Sequence, residues 1–342
     1  MDLKGLTLEE WLLKKAPKKQ FPNFGEDYRT MYQRTADHLY NKVHSEVNMG
    51  AMLIDGSLLT DHGPGHIKTV IERASALVKA KDCILTPYEV YLLLSAIHLH
   101  DVGNIYGREN HETRSREVLK HLGKLAATDD VERKIIYNIA EAHGGKQKDK
   151  LEYLPEIDPV LGLDVRIRLL AAILKFADEL ADDYSRASRQ PWNQVPHKNQ
   201  IFQKFAEKLK TVKIDHSSRT VYLHFSINKE DALQKFGKSD NPSEDVYIVD
   251  EIYKRTYKTH LERIYCMRFT NPLIRLDTVS VKIEFFDEDY NEIREPIGYR
   301  LEEKGYPEGH PNGFESICPE VKYNGESIKR EIERRSRKKK QN

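Results

Sequence analysis

The sequence predicts an α+β chain: an all-α first half followed by a smaller half that mixes strands with helices. Three observations lead there. Apolar residues recur with the helical period through about residue 190, and strict alternation takes over after Lys210. Four of the early helices also carry a histidine or an aspartate at one end of an otherwise apolar stripe.

Residues 6 to 16 and about 26 to 47 read as two charged helices, the second carrying Tyr32, Ala36, Leu39, Tyr40 and Val43. They are expected on the outside of the bundle, as an extension over residues 1–50. His66, Val70, Ala74 and Leu77 then share one helical face, with Pro64 and Gly65 at the expected helix start. Leu93, Ala96, Ile97 and His100 follow the i, i+3, i+4, i+7 spacing, and Asp101 lies one step, about 100°, further round. Gly103 is expected to end that helix from the position just past its C-terminus. Ile135, Ile136 and Ile139 lead to His143, followed by Gly144 and Gly145. Ile167, Leu170, Ala171, Leu174 and Ala177 form a last stripe that ends on Asp178. The helical domain is placed at residues 51–190, closing near Arg189, before Pro191 and Pro196.

Residues 191–342 form the expected second domain. A short helix from about Asn199 to Lys210 precedes Val212 and Ile214, which pair across the polar turn 215–219 with Val221, Leu223, Phe225 and Ile227. A helix from about Ser243 to Arg268 carries Tyr253, Tyr257, Leu261, Ile264 and Tyr265, a face suited to packing or self-association. Val279, Val281, Ile283 and Phe285 alternate as a strand. Residues 287 to 325 read as irregular, and the stretch from Ile328 to Asn342 reads as a basic tail, either a solvated end or a nucleic-acid contact.

Composition narrows the function. Fifty-five basic residues face 54 acidic ones, a net charge of +1, so no global field steers the chain to nucleic acid. No apolar run approaches the roughly 20 residues of a membrane span, and the first residues lack the apolar core of a signal peptide. Cys83, Cys266 and Cys318 are scattered without CxxC spacing, which points to a reducing cytoplasm and against a zinc ribbon. A metal in this chain is therefore held by histidine and aspartate. A buried ionised carboxylate is costly unless paired or bound to a cation, and His66, His100, Asp101, His143 and Asp178 converge from four helices. Imidazole with carboxylate suits a divalent ion such as Mn, Mg, Fe, Co, Ni or Zn, one or two per chain.

The order His66, His100-Asp101, Asp178 resembles the H…HD…D signature of the HD superfamily of metal-dependent phosphohydrolases. The resemblance covers roughly residues 55 to 190. Its best local matches are Thr60-Asp61-His62-Gly63-Pro64-Gly65-His66, Leu99-His100-Asp101-Val102-Gly103 and the segment from Leu174 to Leu180. It implies an HD-type helical bundle and hydrolysis of a phosphate ester or anhydride. The expected substrate is a nucleotide, foremost a nucleoside or deoxynucleoside triphosphate. A phosphodiesterase acting on a cyclic nucleotide or single-stranded nucleic acid, and a non-catalytic nucleotide sensor, stand as alternatives. By the resemblance His66, His100, Asp101 and Asp178 hold the metal, Asp101 being able to bridge to a second ion with His143.

His111, in a polar, glycine-containing segment, reads as general acid or phosphate contact, or else as part of a helix start. Arg108 is a candidate phosphate clamp, Lys175 a substrate contact or a snorkelling surface group, and His62 a pocket-lining residue. His98 points elsewhere. Asp61, Glu141 and Asp182 are expected to orient the imidazoles by hydrogen bonds.

Overall fold

The computed structural model describes residues 3–22, 27–48, 60–80, 84–107, 109–123, 127, 129–144, 150–187, 192–303, 314, 318 and 320–339. They group into two compact units, Met1–Ala181 with Tyr265–Arg275, and Asp182–Ile264 with Leu276–Asn342. The expected domain borders at residues 51 and 190–191 lie outside the described residues. No helix among the described residues is long and apolar enough to cross a membrane.

The first unit is helical. Thr7 opens α1 (Leu8–Lys15) with a capping box to Glu10, and Asp27 caps α2 (Tyr28–Leu39). Pro64 sits in the first turn of α3 (Pro64–Leu77), and Thr86 with Glu89 forms a second capping box on α4 (Pro87–Leu99). After it come a 3₁₀ turn (Val102–Tyr106), α5 (His111–Leu122), α6 (Asp130–Glu141), a small hairpin of β1 (Asp158–Val160) and β2 (Leu163–Val165), and α7 (Ile167–Glu179). Every residue of α4 is buried. A helix that is apolar all round needs neighbours on every side, and α1, α2, α3, α6 and α7 all pack against it. The two N-terminal helices are thus part of the bundle wall, burying Trp11, Leu12, Met31 and Leu39, and are not an outer layer.

Two polar networks pin this packing. Glu89 accepts from the backbone N–H of Arg166 at 3.1 Å and from its guanidinium at 2.6 and 2.8 Å, joining α4 to the start of α7. Glu132, fully buried on α6, accepts from the hydroxyls of Tyr28 at 3.0 Å and Tyr88 at 2.7 Å.

Beyond α2 the chain makes a π turn at Tyr40–His44. Regular steps of about 100° would carry His44 roughly 140° round from Leu39. The wider turn absorbs one extra residue and returns His44 to the buried side, where Val47 follows it.

The second unit holds α8 (Gln200–Lys208), β3 (Leu209–Asp215), β4 (Thr220–Asn228), α9 (Lys229–Leu233), β5 (Lys235–Phe236), β6 (Val246–Tyr247), β7 (Thr278–Phe286), β8 (Ile297–Glu302) and α11 (Gly325–Lys339). The long α10 (Ile248–Thr270) begins here, and its last residues belong to the first unit. The main sheet runs β3-β4-β7-β8, antiparallel except for the parallel β4–β7 pair. One face is buried through Val221, Leu223, Phe225 and Ile227 of β4 and Val279, Val281, Ile283 and Phe285 of β7. Polar residues such as Lys282 and Arg300 take the other.

Two expectations for this half change. The segment read as irregular contains β8, whose Ile297, Tyr299 and Leu301 alternate inward while Pro296 and Gly298 blur the pattern. The stretch read as a tail is the helix α11, docked through Ile328 and Ile332. On the tyrosine-bearing helix, Tyr253 packs within its own unit, against Tyr299 and Phe314.

Candidate metal centre

Five helix ends of the first unit meet around Asp101. His66 comes from the first turn of α3, where Gly63 and Pro64 start the helix. His100 is the residue just past α4, and Asp101 follows it in the turn. Asp178 lies in the last turn of α7. His66 Nε2 is 3.5 Å from Asp101 Oδ2 and 3.1 Å from Asp178 Oδ1. His100 Nε2 is 3.4 and 3.6 Å from the same two oxygens. The four donor atoms lie within 4.8 Å of one another, a spacing that one metal ion can span.

The other oxygen of Asp101 faces a second set. Its Oδ1 is 3.2 Å from His111 Nε2 and 3.7 Å from His143 Nε2, and these three residues form a second group able to hold a metal. His62 stands beside the centre, its Nε2 3.8 Å from Asp101 Oδ2, outside both groups.

Backbone carbonyls aim the imidazoles. His100 Nδ1 donates to the Ile97 carbonyl at 2.7 Å, and His143 Nδ1 to the Ala140 carbonyl. Both carbonyls lie three residues back, in a helix's last turn. The Thr60 carbonyl serves His62 in the same way, and Glu112 faces His111 Nδ1 at 3.3 Å. With Nδ1 committed as donor, each Nε2 is left as an acceptor in the neutral ring. Acceptors that converge on carboxylate oxygens need a cation between them, so the residues present fit a metal.

Without a metal, protons take that place. Burial works against a charge on His100, but Asp101 and Asp178 outweigh it and push His100 up to about 10. Burial likewise acts to raise Asp101 and Asp178, yet the facing histidines hold both well below the usual carboxylate range. His143 is held below the ordinary histidine value, mainly by burial.

Several sequence expectations change. Gly103 does not end a helix in the left-handed region; it lies inside the 3₁₀ turn. A Cβ there would come within 1.8 Å of the His111 carbonyl, so glycine is required for α5 to approach the turn. His111 opens α5, so of the two readings of its position the helix start is the one observed. Asp61 accepts from the Gly63 N–H and from Asn48 at the start of α3, and Asp182 pairs with Arg255. Lys175 donates to the His143 carbonyl at 2.8 Å, steadying the segment that carries that histidine. Glu141 faces Lys150. Arg108 lies outside the described residues. His98 faces Tyr32, away from the centre, as expected.

The second group joins His143, expected with Asp101 at a second ion, to His111, for which the sequence favoured an acid or phosphate-contact role.

A family model described as HD-CE, an HD-like domain, matches residues 57–248, more than half of the chain. No curated protein matches the sequence. With the match running from the segment before His66 past Asp178, the chain belongs to the HD-CE family.

Proposed function

We propose that the protein is a metal-dependent hydrolase of phosphate esters or anhydrides, with a nucleotide as substrate. The observation that carries the reading is the division of labour at Asp101: one carboxylate oxygen serves His66, His100 and Asp178, the other His111 and His143. Paired cations a few ångströms apart are the usual arrangement for clamping the oxygens of a phosphoryl group in flight. When bound, the ions neutralise phosphoryl charge and acidify water.

The chain's own residues do the rest. His66, His100, Asp101 and Asp178 hold one ion, and Asp101, His111 and His143 a second. His62, pinned at Nδ1 and outside both groups, in its protonated form presents Nε2–H as phosphate contact and proton donor to the leaving oxygen. This gives His62 the acid role that the sequence suggested for His111. A nucleoside triphosphate is the foremost substrate by resemblance to the HD superfamily.

The test is phosphate release, screened over Mn, Mg, Fe, Co, Ni and Zn against nucleoside triphosphates, cyclic nucleotides and single-stranded oligonucleotides. Metal-dependent release that disappears in Asp101→Asn is the expected result. Nucleotide binding without turnover under every metal would instead favour the sensor reading.

A further inference from the structure

The charge of the chain is unevenly placed. Residues 328–342 hold eight basic and two acidic side chains, which leaves 47 basic against 52 acidic, a net −5, in the preceding 327. Most of this excess lies on α11, and its first turns are already committed. Ile328 and Ile332 are buried, Gly325 N–H donates to Asp250 at 2.8 Å, and Glu331 pairs with the buried Arg294 at 3.3 Å.

The opposite face is open. Arg330, Arg334 and Arg337 are exposed and fall within about 60° of one another on the side turned away from Ile328 and Ile332. Arg330 is paired with Glu326 on its own helix, whereas Arg334 and Arg337 have no acidic partner among the described residues. Six of the seven residues from 334 to 340 are basic. Like charges three and four residues apart on a helix repel. The negative end of the helix dipole favours a nearby cation but does not offset the mutual repulsion of Arg330, Arg334 and Arg337.

We propose that this outward face of α11 binds the phosphate backbone of duplex nucleic acid, independently of the metal centre. A polyanion relieves the repulsion, and the arginine fork fits phosphate oxygens. An anionic membrane suits the face less well, because an interfacial helix needs a free apolar side and that side of α11 is already docked. The face carries no aromatic ring to stack on splayed-out bases, which favours duplex over single strand.

The test is fluorescence anisotropy of a labelled 20-base-pair duplex with the full chain in EDTA, between 50 and 200 mM salt. Binding should weaken linearly in log–log form with salt. The triple variant Arg330→Ala, Arg334→Ala, Arg337→Ala should bind about 10- to 100-fold more weakly at 50 mM and lose about two to three units of slope. The same loss should appear when Asp101→Asn is the background. The proposal is overturned by absence of binding at 50 mM, by an unchanged triple variant, by tighter binding to a single-stranded 20-mer, or by binding confined to phosphatidylserine vesicles.

Discussion

His66 and His100 turn their Nε2 atoms toward each other at 3.3 Å, although 34 residues separate them in the chain. Asp178 Oδ1 lies 3.1 Å from the first and 3.6 Å from the second. Two imidazole nitrogens at this distance need a proton or a cation between them, since two lone pairs face to face repel. In the metal-free protein a proton takes that place: against the effect of burial, Asp101 and Asp178 push His100 up to about 10.

Metal binding should therefore release protons. Because the folded value of His100 is raised, the ring is protonated at neutral pH and gives up its proton to the incoming ion. Affinity should rise with pH towards about 10 and fall in acid. Titration calorimetry of Mn or Zn in two buffers of different ionisation enthalpy at pH 7.5 should show about one proton released per first ion bound. No buffer dependence would mean that the site is not proton-filled.

Three substitutions should separate the roles. Asp101→Asn should lose both ions, because each oxygen serves one group. His111→Ala should keep the first ion and lose the second. His62→Ala should keep both and lower the rate by about 10²- to 10⁴-fold, the usual range for one acid–base group. Metal content by mass spectrometry of the purified variants, read beside phosphate release, checks all three; loss of metal in His62→Ala would make it a ligand.

The helical stripes made much of this centre legible. His66, His100 and Asp178 each end or begin an apolar face, and a periodic reading finds such residues one helix at a time. The contacts that aim His100, His143 and His62 were hidden because backbone carbonyls supply them, and every residue type has a carbonyl. The role of Gly103 was hidden for a related reason: close approach of α5 is a tertiary fact, with no local pattern. In the second unit β4 and β7 were visible by alternation, but β8 was masked by Pro296 and Gly298. The parallel β4–β7 pairing was not visible, since about fifty residues separate those strands.

Gly103→Ala should disturb the second ion more than the first. The new methyl would meet the His111 carbonyl and the Ser115 amide, both backbone and unable to rotate away. Displacing α5 should cost about 1–3 kcal/mol, the range for overpacking. Urea unfolding measures that cost, and metal analysis should show about one ion lost while the His66–Asp178 group stays filled. Two ions at full stability would contradict the close approach.

Tyr88→Phe tests the Glu132 network. The carboxylate is fully buried, and the Tyr88 hydroxyl donates to it at 2.7 Å. Removing a hydrogen bond to a charged group should lower stability by about 1.5–3 kcal/mol in urea unfolding, with metal content unchanged. Phenylalanine keeps the ring's packing, so the change reports the bond and not a cavity.

The last prediction concerns acid stability. His98 is fully enclosed, and burial, aided by His100, depresses it to about 3. Tyr32 donates its hydroxyl to Glu9 at 2.6 Å, so the His98 Nε2–H donates to Tyr32 at 3.0 Å. His44, brought inward by the π turn, is also depressed by burial and lies 5.7 Å from His98, ring to ring. Neither nitrogen of His44 has a hydrogen-bond partner among the described residues. Both rings stay neutral when folded and take up protons on unfolding below about pH 6.5. Their contribution is thus complete above that value and is lost as pH falls toward about 3. Urea unfolding in EDTA between pH 7 and 4 should show stability falling with acid. His98→Gln retains a donor for Tyr32 but cannot titrate, so its slope should be shallower by up to one proton. His44→Leu removes a buried polar ring that has no hydrogen-bond partner among the described residues and should match or exceed the wild-type stability at pH 5. A large loss of stability at pH 5 in His44→Leu would show that its imidazole is held by contacts the fold does not display.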